Sequence, residues 1–152
     1  MENINKETLQ NNQLTDFYAW TQKTSQLLSD GNYYQVDMQM VIEEIKAMGA
    51  SERRELINRL AVLIMHLLKW QYQSGLRSRS WKLTIVEQRR EIQELLEDSP
   101  SLKSKLYEKF ALAYSKAILK TEKETNLPRK TFPQNCPYTL EQTLDEQFYP
   151  ID

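Results

Sequence analysis

The feature that most constrains this chain is the stretch from Leu60 to Leu68, nine residues in which His66 is the only polar side chain. At about 100° of rotation per residue, the longer run Leu56, Ile57, Leu60, Leu63, Ile64, Leu67 and Trp70 repeats with the period of a helix. A helix that is apolar nearly all round must be covered on several sides, so this segment is expected to lie at the centre of a bundle. It is also far short of the roughly 20 residues needed to cross a bilayer.

Four further segments share the period. In the first, Leu14, Phe17, Trp20, Thr24, Leu27 and Leu28 fall on one face, with Thr15 or Asp16 as cap and Gly31 suited to a left-handed end. The second runs from a cap at Asp37 to Met48 and is expected to bury Met38, Val41, Ile42, Ile45 and Met48 before stopping at Gly49. The central helix then begins at Ser51. A fourth opens at Ser80 and presents Trp81, Ile85, Ile92, Leu95 and Leu96. The fifth starts near Ser99, with Pro100 in its first turn, and presents Leu102, Leu106, Phe110, Ala113 and Ala117.

After Thr125 the pattern breaks, because LPRKTFPQNCPY holds three prolines in twelve residues. That composition predicts an extended strap. Thr139 followed by Gln142 then makes a capping box ahead of a short helix through Phe148. The expected architecture is all-α: one domain of about five helices, with a flexible start over 1–13, the bundle over 14–125, and the strap and short helix over 126–152. With three glycines in 152 residues, a phosphate-cradling glycine loop is excluded.

Cys136 has no second cysteine to pair with, and the start MENINKETLQNNQ lacks the apolar run of a leader. A cytoplasmic protein is the expectation. One histidine and one cysteine leave no set of metal ligands and no cofactor motif, so neither metal nor cofactor is predicted. A Cys136/His66 dyad is conceivable, but the cysteine lies beside Pro137 in the strap and packing explains it more simply.

Charge is uneven along the chain. Residues 1–50 carry three basic and seven acidic groups, whereas residues 69–90 carry six basic groups (Lys69, Arg77, Arg79, Lys82, Arg89 and Arg90) against Glu87 alone. Trp70, Tyr72 and Trp81 interleave with these cations, a combination that attracts phosphates and stacks bases. Ser80 at a helix start, beside Arg77 and Arg79, adds hydrogen-bond donors for an anion. The competing explanation is a solvated face with a simple cap.

Two further features stand out. Gln88 falls within the apolar stripe of the fourth helix, and a polar network with Thr84 and His66 would satisfy it. Arg59 precedes His66 by seven positions, about 700° of helix, which puts both on one line two turns apart. This spacing resembles the Arg-x4-6-His motif of the HEPN (higher eukaryotes and prokaryotes nucleotide-binding) ribonucleases, metal-independent helical bundles that usually act as dimers. In that resemblance Arg59 stabilises phosphate charge and His66 moves a proton, although Leu60 stands where the family has a polar residue.

The segments HLLKWQYQ (66–73), SRSWKLTIVEQRREI (78–92), EDSPSL (97–102) and LPRKTFPQNCPY (127–138) resemble a bacterial, largely cyanobacterial family catalogued as domain of unknown function twenty-nine. The resemblance implies an all-helical domain and no reaction, substrate or cofactor. Three functional expectations stand side by side. The leading one is a non-catalytic module binding protein or nucleic acid through 69–90; the others are a ribonuclease-like enzyme using Arg59 and His66, and a structural or regulatory homodimer subunit.

Overall fold

The structure is a computed structural model that describes residues 15–151. The flexible start expected over 1–13, and the place given to Leu14, lie outside the described residues. The protein is all-α, with helices α1 (Phe17–Ser29), α2 (Met38–Tyr72), α3 (Arg79–Asp98), α4 (Lys103–Thr125) and α5 (Leu140–Leu144). It divides into two compact units, residues 1–49 and 50–152.

In the first unit Asp16 caps α1, its carboxylate accepting from the Ala19 N–H at 3.0 Å. Gly31 follows the helix with φ of 75°, the left-handed backbone that a residue without Cβ adopts at no steric cost. Trp20 and Leu27 of α1 pack with Val36 and Met40, and Leu28 and Val41 lie against this small core. Asp37 caps α2 as expected, accepting from the Met40 N–H at 3.3 Å.

Two expectations fail here. The second and third segments are one helix, α2, which passes through Gly49 and Ser51 without a stop. A glycine ends a helix only when its backbone turns left-handed, and Gly31 is the one described glycine that does so. Gly49 therefore costs α2 about 1 kcal/mol and does not break it. The second correction concerns burial: Met38, Ile42, Ile45 and Met48 are 49%, 43%, 62% and 68% exposed. Met40, on the other side of the helix, is the residue that enters the core.

The second unit follows the central-helix expectation. Leu56, Leu60, Leu63, Ile64, Leu67 and Leu68 of α2 are fully buried among Ile85 and Ile92 of α3 and Leu106, Ala113, Ala117 and Ile118 of α4. Ser99 leads into a short 3-10 turn, Pro100–Leu102, before α4 begins. Asn126 closes α4 in left-handed conformation, φ 56°.

The strap lies on this bundle through Phe132 and Tyr138, both buried. Tyr72 meets Phe132 edge-on at 5.1 Å, and the Tyr138 hydroxyl donates to Gln71 Oε1 at 2.7 Å. The capping box at Thr139 and Gln142 is formed in full. The short helix nevertheless ends at Leu144 and not at Phe148, because Asp145 is extended and the next carbonyls leave the helix for a partner on α3.

Candidate functional site

Arg89 organises the region singled out by charge. The sequence stripe placed Gln88 at its centre, but the buried residues of α3 are Ile85, Arg89 and Ile92, and Arg89 is only 3% exposed. Its Nε donates to the Thr143 carbonyl at 3.0 Å, one terminal nitrogen to Phe148 at 2.7 Å, and the other to Glu146 at 3.4 Å. The Thr143 carbonyl is in the last turn of α5, where no helical partner remains, and Glu146 and Phe148 follow the helix, so a single planar fork ties the end of α5 and the segment after it to α3. Burial presses the Arg89 pKa down, and the acidic groups of Tyr149, Asp145 and Glu146 push it back up.

Tyr149 sits under the same cation. Its ring lies 5.4 Å from the Arg89 guanidinium and 5.9 Å from Lys82 Nζ, and it packs at 5.0 Å on Trp70. The Arg77 guanidinium covers the Trp70 ring at 5.0 Å while its Nε donates to the Trp70 carbonyl at 2.7 Å. This folds the connection onto the end of α2. Ser78, extended at φ −134°, then caps α3 by accepting from Trp81 N–H at 3.2 Å. The cap thus lies two residues before the expected Ser80, and the exposed Ser80 contributes its carbonyl to Thr84.

Lys69 is buried as well. Its ammonium is 2.7 Å from Glu124 on α4 and 4.5 Å from the Trp81 ring centre. The Lys69 hydrogen bond holds the Glu124 pKa below its ordinary value, against a smaller opposing effect of burial. Of the six cations in 69–90, Lys69, Arg77 and Arg89 therefore hold the fold together, and Arg79, Lys82 and Arg90 are exposed.

Arg79, Ser80, Leu83, Val86, Glu87, Arg90 and Glu94, with Thr84 and Glu91, line a shallow groove of about 800 Å³ whose described lining comes entirely from α3. Leu83 is 54% exposed within it. Carboxylates and cations alternate along this face, so it is not a cationic track.

The network expected among His66, Thr84 and Gln88 does not form. His66 Nδ1–H donates to the Val62 carbonyl at 2.9 Å, Thr84 bonds back to Ser80, and Gln88 Oε1 accepts from Arg59 at 3.5 Å. Each polar group finds a partner one helical turn away or on the neighbouring helix. Burial lowers the His66 pKa; the Val62 carbonyl raises it, Lys69 lowers it further and Glu124 opposes.

Arg59 bonds to Glu55 at 3.1 Å and lies 3.7 Å from Glu91. It lines a groove of about 500 Å³ with Ser51, Arg54, Glu55, Asn58, Val62 and Gln88, and His66 is not among the lining residues. His66 is bonded to Val62 and not to Cys136, and burial pushes the Cys136 thiol up to about 11.

The profile of the family described as Domain of unknown function DUF29 matches residues 14–149. The chain belongs to that family. No curated protein and no solved structure matches it. Among the described residues of this DUF29 domain, no helix is long and apolar enough to cross a membrane, and no three His, Cys, Asp or Glu side chains are grouped to hold a metal ion.

What the sequence reading missed in this DUF29 domain is the internal role of its cations. Arg89 lies four residues after Ile85 and three before Ile92, a single charge inside an apolar stripe. That position was the available signal, since a charge on a core face needs partners brought to it.

Proposed function

We propose that this DUF29 domain is a cytoplasmic, non-catalytic protein-binding module whose partner docks on the α3 groove between Arg79 and Glu94. The observation that carries this reading is the makeup of that groove: exposed Leu83 among alternating Arg79, Glu87, Arg90 and Glu94. An apolar contact rimmed by both signs of charge suits a folded protein surface, where charge fixes register and apolar area supplies affinity.

Nucleic acid is the less favoured partner. Its recognition calls for clustered free cations and open aromatic faces. Trp70 is covered by Arg77 and Tyr149, Trp81 faces Lys69, and Tyr72 packs on Phe132. Arg59 and His66 have separate partners, which supports a non-catalytic role. The lone thiol of Cys136 supports a reducing compartment.

The test places a photo-crosslinking residue at Leu83 in cells, identifies the captured protein, and titrates it in purified form. Saturable binding that Leu83→Asp abolishes is the expected result. Salt-steep RNA or DNA binding, lost in Arg79→Glu/Arg90→Glu and kept in Leu83→Asp, would transfer the site to nucleic acid. RNA cleavage that disappears in His66→Ala would overturn the non-catalytic reading.

A further inference from the structure

Among the described residues, Arg89 is a buried cation without an ion-pair partner. The described ion pairs belong to Arg59, Lys69 and Lys105, whereas the three hydrogen-bond partners of Arg89 are neutral backbone carbonyls. The Tyr149 ring covers the guanidinium at 5.4 Å. Asp145 and Glu146 act on it from beyond ion-pair reach, and both are exposed, so water screens them. A charge buried to 3% exposure ordinarily brings a carboxylate with it.

The same side chain borders a hollow. Arg89, Ile92, Gln93, Leu96, Leu144 and Glu146 line a groove of about 220 Å³ between α3 and the end of α5. Ile92 is fully buried and the two leucines are half-buried, so three apolar side chains stand beside one cation. Hydrogen-bond donors are in excess there. A guanidinium has five N–H groups and Arg89 uses three. The bond to Glu146, the other charged residue of the lining, is the long one at 3.4 Å, against 3.0 and 2.7 Å for the other two.

We propose that this groove binds a short aliphatic monocarboxylate, whose carboxylate accepts from the terminal nitrogens of Arg89 and whose chain lies against Ile92, Leu96 and Leu144. Size sets the chain length. A volume of about 220 Å³ is below the roughly 300–1,000 Å³ of clefts that take drug-sized ligands, so the acid is one of the size of hexanoate or octanoate. Charge sets the headgroup: a planar carboxylate matches the guanidinium and supplies its missing counter-ion. The bond forms beside a buried group, where it is stronger than on an open surface. Glu146 at the groove opposes an anion, but from an exposed position. A ligand this small binds with a Kd on the order of 1 mM.

NMR titration of the isotope-labelled full chain with butyrate, hexanoate and octanoate tests this. Saturable shifts are expected at the Arg89 Nε–H and at the amides of Ile92, Gln93, Leu96 and Leu144, with affinity rising about three- to fourfold for each added methylene. Octanamide, with the same tail and no charge, should bind at least about tenfold more weakly. Two exposed positions of the lining test the charge without touching the Arg89 bonds. Gln93→Glu should weaken octanoate binding, and Glu146→Gln should tighten it, each by about two- to fivefold.

No saturable shift up to about 20 mM acid overturns the proposal, and so does octanamide binding as tightly as octanoate. Shifts confined to the exposed Arg79, Lys82 and Arg90, and unchanged in Gln93→Glu, would also overturn it, since they report attraction to surface cations.

Discussion

Replacing Arg89 by Ala removes the fork that holds the Thr143, Glu146 and Phe148 carbonyls. Two of these bonds, at 3.0 and 2.7 Å, are short enough to count in full, and a bond from a charged donor contributes about 1.5–3 kcal/mol. The third, at 3.4 Å, adds little. The gross loss is thus about 3–6 kcal/mol. Against it stands the cost of keeping a guanidinium 3% exposed, which the mutant no longer bears. A groove of about 220 Å³ bordered by Arg89, Gln93, Leu144 and Glu146 also gives water a route to the freed carbonyls.

These offsets leave an expected net loss of about 2–4 kcal/mol, a large part of the 5–15 kcal/mol typical of a domain. The measurement is urea unfolding followed by circular dichroism, paired with native-state amide exchange. Exchange should accelerate most in residues 139–149, and Arg89→Lys, with one compact ammonium in place of a planar fork, should fall between wild type and Arg89→Ala. A loss below about 1 kcal/mol with the 139–149 amides protected as in wild type would refute the clamp.

Three other outcomes are expected. At the Lys69–Glu124 pair, Glu124→Gln should destabilise more than Lys69→Met, because the first strands a buried ammonium while the second frees a carboxylate that is 47% exposed; denaturant midpoints of the two variants decide it. Burial depresses the His66 pKa, so the unfolded chain takes up this proton at higher pH than the folded one. Its stabilising contribution is complete above the ordinary value of 6.5 and is lost as pH falls through the depressed folded value, and an NMR titration of this single histidine reads the shift directly. Cys136, pushed from 9.0 to about 11, should react with a thiol reagent at pH 8 about 100-fold more slowly than a free cysteine, and as fast as one in 6 M guanidinium.

The helices were legible in the sequence wherever a local signal fixed them. Asp16 and Asp37 as caps, Gly31 as a left-handed stop, and Thr139 with Gln142 as a capping box all depend on neighbours within a few residues. The central position of Leu56–Leu68 was legible too, since only full coverage makes such a segment soluble in its own fold. Gly49 misled because glycine permits a stop without compelling one.

The site was much less legible, for a reason that the basic run makes plain. Composition counts six cations between Lys69 and Arg90, but whether Lys69 and Arg89 face water depends on residues 50 or more positions away: Glu124 for Lys69, and Thr143, Glu146 and Phe148 for Arg89. The same holds for Met38, Ile42, Ile45 and Met48, whose period marks an apolar face but not what covers it. Periodicity and caps are properties of one helix, and the sequence determined those by itself. Which charges are neutralised, and which apolar face is left open, are set when distant segments meet, because burial and pairing are relations between elements that only the tertiary structure creates.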